Sequence, residues 1–210
     1  MADLSGYQNA GYARGYADFV AKVRAAEQAA VPGEQRLARA VALQLYRLMA
    51  YKDEYEVARL HSLTDWKSFL DEHFTGTQRV ELNLAPPFLA KPDPVTGIPR
   101  KIAFGPWMLR AMGMLRHGKA LRGTALDPFG RTEERRMERA LVGEYRAGIE
   151  RLLRLLSPKT HAKVCEWAEA AAGIKGYGHI KARNAAAARA RMAEIEAAIG
   201  APAPLAMAAE

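Results

Sequence analysis

Apolar side chains recur at helical spacing over most of the chain. In the first such stretch Tyr12, Tyr16 and Phe19 share one stripe while the charged residues fall off it, which is the pattern of an amphipathic helix. Ser5 is predicted to cap this first helix. The stretches with this spacing are 5–30, 37–60, 64–74, 106–117, 132–156, 158–172 and 179–199. They predict a mainly α fold, a bundle of about six helices, whose first two form an antiparallel hairpin around the Pro-Gly break at 32–33.

The helical spacing is interrupted by a segment of a different character. Residues 79–84 alternate polar and apolar side chains, 92–97 are rich in turn formers, and 99–104 resemble a second strand. We predict a small β-hairpin inserted around residues 78–104. Two strands alone are marginally stable in water, so this hairpin must pack on the helices or on another protein.

The size and apolar content suit one helical domain over residues 1–200, with 201–210 as a flexible tail. The chain has 210 residues, of which 50% are hydrophobic, but its longest apolar run is far short of the roughly 18 residues that span a bilayer. No membrane partner is expected. The N-terminus has an acid at position three and no apolar signal segment, so we predict a cytoplasmic location.

The cysteine count limits the metal and redox sites that the chain can hold, and the charge is unevenly distributed along the sequence. Cys165 is the single cysteine, so it forms no internal disulfide and the chain holds no iron–sulfur cluster or cysteine-rich zinc site. The net charge is +8, and residues 100–210 hold 20 basic and 11 acidic side chains, which places the surplus in the C-terminal half. No nucleic-acid-binding motif accompanies this charge, so nucleic acid is not an expected partner.

Catalytic signatures are missing from the sequence. It has no glycine-rich phosphate loop, no nucleophile elbow and no His-Glu-x-x-His, and no pair of its five histidines lies at metal-binding spacing. We therefore predict no catalytic residue and no metal site. The charged segment 51–59 offers Glu56 as a base or Lys52 and Arg59 as anion ligands, but a solvated helix face is favoured for it.

Two loops and one basic run supply the candidate binding residues. In the loop 121–130, glycines that permit positive φ accompany turn-forming residues, so Asp127 either belongs to a site or caps backbone amides. In 173–184, glycines and cations lie at the start of a helix, which suits an anion site, although a glycine-rich turn with solvated cations is at least as well favoured. The candidates for binding an anion or a partner are Arg122, Asp127, Arg135, Arg136, Lys175, His179, Lys181 and Arg183.

Seven strings, in order, resemble the C-terminal region of indolepyruvate ferredoxin oxidoreductases. They are 48–60 (LMAYKDEYEVARL), 84–87 (LAPP), 93–101 (DPVTGIPRK), 104–108 (FGPWM), 121–130 (LRGT and DPFG), 133–141 (EERRMERAL) and 176–184 (GYGHIKARN). The resemblance covers nearly the whole chain, to about residue 195. It fits an excised domain or a free-standing gene product, and an opening directly on a helix favours the first.

Members of that family oxidatively decarboxylate aryl 2-oxoacids to acyl-CoA and pass the electrons to ferredoxin. The resemblance thus implies thiamine diphosphate, magnesium and iron–sulfur clusters in the parent enzyme. This chain lacks the thiamine motif, the glycine-rich catalytic segment and the cluster cysteines. The cofactors are therefore expected elsewhere in the parent, and none in this segment.

The resemblance implies three hypotheses for the chain itself. In the first hypothesis, the chain assembles the catalytic domains or subunits and offers a basic face, formed by residues after position 100, to ferredoxin or to the phosphates of CoA. Alternatively, it is a structural or regulatory helical module without a ligand, which predicts an exposed apolar patch near 78–104 and self-association, for example as a homodimer. The third hypothesis is a small-ligand site in the loops 121–130 and 176–184.

Overall fold

A computed structural model of the chain describes residues 2–76, 80–86, 89, 90, 93 and 100–200. Within these residues it has nine α-helices and one small antiparallel sheet, so the predicted mainly α fold with a hairpin is confirmed. The elements are α1 (Ala2–Tyr7), α2 (Ala10–Ala30), α3 (Arg36–Met49), α4 (Glu54–Leu63), α5 (Trp66–His73), β1 (Leu82–Leu84), β2 (Ile102–Phe104), α6 (Trp107–Leu115), α7 (Glu133–Leu153), α8 (His161–Ala170) and α9 (Gly178–Gly200), with short 3-10 turns at Arg116–Leu121 and Ala171–Gly173.

The first predicted helix, 5–30, is two helices. The chain leaves helical geometry after Tyr7, whose carbonyl accepts a hydrogen bond from Arg122 at 2.6 Å, and the same guanidinium nitrogen donates to the Gln8 side chain at 2.7 Å. These bonds give the end of α1 polar partners outside the helix. Ser5 lies inside α1, so its predicted role as N-cap is wrong.

The second predicted helix, 37–60, is also divided. Residues 50–53 are not helical, and the Asp53 carboxylate accepts a hydrogen bond from the Glu56 N–H at 2.8 Å, which makes Asp53 the N-cap of α4. The apolar spacing continues across this break, which is why periodicity alone joined the two helices. Asp65 caps α5 in the same way, because its carboxylate accepts a hydrogen bond from the Ser68 N–H.

The chain divides by contacts into two compact units. The first comprises the described residues of Met1–Ser5, Ala10–Ala50 and Arg136–Glu210, and the second comprises those of Gly6–Asn9 and Tyr51–Arg135. The single domain predicted over 1–200 stays a prediction, and the predicted tail lies outside the described residues. None of the described helices is long and apolar enough to cross a membrane.

The first unit contains the larger core. Its helices α2 and α3 run antiparallel, as predicted, because the Tyr12 hydroxyl donates to the Met49 carbonyl and the Tyr16 hydroxyl to that of Ala42. Helices α7 and α9 run parallel, because the three ion pairs that join them occur in the same order along both helices. These pairs are Glu138–Lys181, Glu144–Arg189 and Arg151–Glu196.

The second unit holds the predicted hairpin. Strand β1 pairs with β2 in antiparallel register, with Leu82 opposite Phe104 and Leu84 opposite Ile102. Leu82 is buried with Ala58 of α4 and Met112 of α6, so the hairpin does pack on helices. The predicted turn at 92–97 lies outside the described residues, apart from Asp93.

Candidate functional site

Arg122 lies at the centre of a buried polar network in the second unit. Its guanidinium forms a two-pronged ion pair with Asp53, with nitrogen–oxygen distances of 2.5 and 2.8 Å, and the two side chains are only 6% and 4% exposed. The guanidinium also stacks on the Tyr7 ring at 3.7 Å. Burial is the largest single influence on the pKa of Arg122 and lowers it, but the hydrogen bond to Asp53 and the charges of Asp53 and the nearby tyrosines together outweigh burial, so the net shift is upward. Arg122 is thus committed to internal contacts.

Asp127 organises the loop that follows Arg122. Its carboxylate accepts hydrogen bonds from the N–H groups of Gly123 at 2.8 Å and Phe129 at 3.1 Å, and from the Tyr55 hydroxyl at 3.2 Å. Burial opposes its ionisation, but these bonds prevail and hold the pKa of Asp127 below its ordinary value. The capping alternative for Asp127 is therefore the one that the structure supports.

The two glycines of this loop have different roles. Gly123 adopts φ +75°, a conformation that favours glycine. Gly130 does not have a positive φ. The positive φ that glycine permits is therefore not used there, and glycine is required because an added Cβ would lie 2.3 Å from the Asp127 carboxylate.

The charged segment 51–59 is not the solvated face that its sequence favours. Glu56 forms a two-pronged ion pair with Arg59 at 2.7 Å, and Asp53, Tyr55 and Glu56 are buried. Arg135, one of the candidate binding residues, pairs with Glu54 at 3.4 Å and is mostly buried. These charges stabilise the second unit rather than facing solvent.

The remaining candidates lie in the first unit and are mostly exposed. Lys181 pairs with Glu138 of α7 at 2.5 Å and is largely buried. Arg136, Lys175, His179 and Arg183 are exposed, and no hydrogen bond or ion pair engages their side chains among the described residues. His179 and Arg183 are four residues apart on α9 and share one helix face. The eight candidates therefore divide into four internal and four exposed residues.

The structure brings together three side chains that the sequence did not connect. Glu27, at the end of α2, accepts hydrogen bonds from the N–H groups of Leu37 and Ala38 at 2.7 and 2.9 Å, and one of its oxygens lies 2.8 Å from His161 Nε2. Cys165 Sγ lies 3.5 Å from that same nitrogen. Burial raises the pKa of the Cys165 thiol to about 12, so the free thiol is not a nucleophile at neutral pH.

One comparison with known proteins returned a match. A family model described as a family of unknown function, DUF6537, matches residues 1–194. The chain belongs to this family. Searches of curated proteins and of solved structures returned no match. The DUF6537 match covers both compact units, but its description assigns neither a ligand nor a reaction.

In this DUF6537 chain, exposed apolar side chains concentrate on the second unit. Among the described residues, ten of the fourteen large exposed hydrophobic side chains belong to it, although it is the smaller unit. Trp107 and Met114, seven residues apart on one face of α6, are 60% and 73% exposed. The Trp107 ring meets Phe104 of β2 edge-on at 5.9 Å, and Ile102 lies on the same side of that strand. We call Ile102, Trp107 and Met114 the apolar surface.

Sequence reasoning expected an exposed apolar patch near 78–104 only for a module without a ligand, and it missed the Glu27–His161–Cys165 cluster altogether. The spacing His161-x-x-x-Cys165 was a usable signal, because residues four apart share a helix face. Histidine pairs alone do not reveal this signal, and Glu27 is more than 130 residues away in the sequence. Nothing in the sequence indicates that Glu27 lies beside them.

Proposed function

We propose that this chain is an assembly module of an enzyme that resembles the indolepyruvate ferredoxin oxidoreductases, and that it acts in the cytoplasm. Its role is to bind the catalytic polypeptide through the apolar surface. The parent carries out the oxidative decarboxylation of aryl 2-oxoacids to acyl-CoA, and thiamine diphosphate, magnesium and iron–sulfur clusters belong to its other parts. This chain has one cysteine, which cannot hold a cluster alone.

The observation that carries the proposal is the exposure of Trp107 and Met114 beside the hairpin. Exposed tryptophan and methionine are enriched at the centres of protein interfaces, and large apolar patches are rare on surfaces that stay in water. By contrast, the polar candidates Arg122, Asp127 and Arg135 are already occupied by internal partners. A protein contact therefore fits the described surface better than a polar active site does.

The test is co-purification of the full chain with the catalytic polypeptide of an indolepyruvate ferredoxin oxidoreductase. Replacement of Trp107 and Met114 by Glu is expected to weaken the complex at least about tenfold, because charges would be buried without partners. The matched control replaces Leu43 and Leu155, which are exposed on the first unit, by Glu and should bind as the wild type does. Equal binding by both variants contradicts the proposal, whereas self-association through the same surface would assign it to a homodimer instead.

A second candidate function is docking of acidic ferredoxin, or of the phosphates of CoA, on the exposed cations. It is favoured by the exposure of Arg136, Lys175, His179 and Arg183, which have no described ion-pair partner. Reversal of the charge at Arg135 or Lys181 would break internal ion pairs, so these two residues are unsuitable for the test.

The appropriate variant changes Arg136, Lys175 and Arg183 to Glu in the assembled enzyme. Docking on these residues predicts a raised KM for ferredoxin or CoA with an unchanged kcat. The control changes three other exposed cations, Arg14, Arg24 and Lys159, to Glu and alters the net charge by the same amount. Unchanged KM values for both substrates would contradict this second function.

A thermal-shift screen of the full chain with CoA, indolepyruvate and thiamine diphosphate tests the small-ligand hypothesis, because a ligand of the native state raises stability.

A further inference from the structure

Glu27, His161 and Cys165 present one ligand atom each to a common point in the first unit. The three atoms all lie within 4.8 Å of one another, and Glu27 and Cys165 are completely buried. In tetrahedral zinc sites, bonds of 2.0–2.3 Å place neighbouring ligand atoms about 3.3–3.8 Å apart. The observed sulfur-to-nitrogen separation of 3.5 Å falls within that range, and the oxygen-to-nitrogen separation of 2.8 Å is about 0.5 Å shorter, so a bound ion requires a small outward shift of the Glu27 or His161 side chain.

The way the three atoms converge distinguishes a metal site from a catalytic triad. In a triad, the nucleophile and the acid contact different nitrogens of the histidine ring. Here the carboxylate and the thiol both approach Nε2 of His161. One ring nitrogen carries either a proton or a lone pair, so it cannot donate to Glu27 and accept from Cys165 at the same time. A cation at the common point would satisfy all three atoms together.

The charges and the supporting contacts also suit a divalent cation. A carboxylate and a thiolate together balance a charge of +2, and His161 contributes a neutral imidazole. The Glu27 carboxylate is held in place by the N–H groups of Leu37 and Ala38, which is the kind of outer contact that orients a metal ligand. The nearby Arg36 is neutralised by a two-pronged ion pair with Glu169.

We propose that Glu27, His161 and Cys165 form a zinc-binding site that links α2 to α8. The mixed sulfur, nitrogen and oxygen donor set suits Zn²⁺ and disfavours Mg²⁺ and Ca²⁺, which take oxygen ligands. Binding replaces the thiol proton by the metal and releases that proton to solvent. The fourth tetrahedral position is left to a ligand outside these three residues. The site does not depend on the proposed role in assembly.

The test loads the full chain with Zn²⁺ or Co²⁺, dialyses it and measures the bound metal and the spectrum. The proposal predicts about one metal per chain, a thiolate-to-cobalt charge-transfer band and a higher Tm with zinc. Cys165→Ser should abolish the band, and His161→Gln should weaken binding at least about tenfold. The control His179→Gln, at an exposed histidine, should change neither.

Three outcomes would overturn the proposal. The first is that the wild-type chain, shown to be folded by circular dichroism, retains no metal after loading. The second is that cobalt binds without a charge-transfer band, which would exclude Cys165 as a ligand. The third is that metal binding survives in both Cys165→Ser and His161→Gln. The first two outcomes need no variant, so the proposal remains falsifiable even if a substitution prevents folding.

Discussion

Two glycines of α7 differ in what surrounds them, and this difference yields a quantitative prediction. Both Gly143 and Gly148 lie inside α7, and neither has a positive φ. A Cβ added at Gly143 would meet no atom within 4 Å, whereas one at Gly148 would lie 2.1 and 2.4 Å from two carbons of the Trp167 ring. Ordinary contacts between carbon atoms are about 3.5–4.0 Å, so the ring or the helix would have to move by more than about 1 Å.

Trp167 has little freedom to move. It is 3% exposed, and its ring stacks on Tyr145 with a centroid distance of 5.6 Å. Overpacking of a core costs about 1–3 kcal/mol, and the gain in helix propensity from Gly to Ala offsets about 1 kcal/mol of that cost. Because the overlap at Gly148 exceeds about 1 Å, we place the overpacking cost at about 2–3 kcal/mol and expect Gly148→Ala to lower the free energy of unfolding by about 1–2 kcal/mol. Gly143→Ala, the matched control, should raise it by up to about 1 kcal/mol.

Urea denaturation followed by circular dichroism measures both changes. A third variant locates the cause, because Trp167→Phe removes the ring atoms that Gly148→Ala would strike. In that background the cost of Gly148→Ala should fall by at least about 1 kcal/mol. The packing argument is refuted if Gly148→Ala is as stable as the wild type, or if its cost is the same with Trp and with Phe at 167.

Two further predictions concern the polar network of the second unit. Arg122→Met leaves the buried Asp53 carboxylate without its guanidinium and should lower the free energy of unfolding, measured by urea denaturation, by about 3–5 kcal/mol. The control Arg24→Met, at an exposed position, should change it by less than about 0.5 kcal/mol. Similar losses in both variants would contradict the role of the network. Because the pKa of Asp127 is held below its ordinary value of 3.8, its contribution to stability is complete above that pH and is lost as the pH falls through the lowered pKa. Asp127→Asn should therefore be less stable than the wild type at neutral pH, and it should lose less stability than the wild type when the pH falls below 3.8. The urea midpoint of each protein is measured across this pH range, and parallel profiles would exclude a stabilising role for the Asp127 carboxylate.

The sequence predicted local structure well where the cause is local. Helical periodicity placed most of the helices, and the turn residues of 121–130 led to the capping alternative for Asp127. The Asp65 cap is a local feature of the same kind, because its partner, the Ser68 N–H, is three residues away. Such features depend on neighbours that a sequence displays side by side.

The errors arose where a distant residue decides the outcome. The segment 51–59 looked solvated because its charges are dense, yet Arg122, 69 residues away, neutralises Asp53 and permits burial. The basic candidates looked alike in sequence, but Glu138, 43 residues from Lys181, occupies that lysine and not Arg183. Tertiary pairing of charges is invisible to composition and spacing, so sequence alone could not separate internal cations from exposed ones.

The central claim is that another polypeptide covers the apolar surface of the second unit. Hydrogen–deuterium exchange of the full chain, with and without the catalytic polypeptide of an indolepyruvate ferredoxin oxidoreductase, tests it most directly, because backbone amides report where solvent access and opening change. The account predicts slower exchange in β2 and α6 (Ile102–Phe104 and Trp107–Leu115) in the complex, with little change in α9. Unchanged exchange in α6, or protection confined to the start of α9, would contradict it.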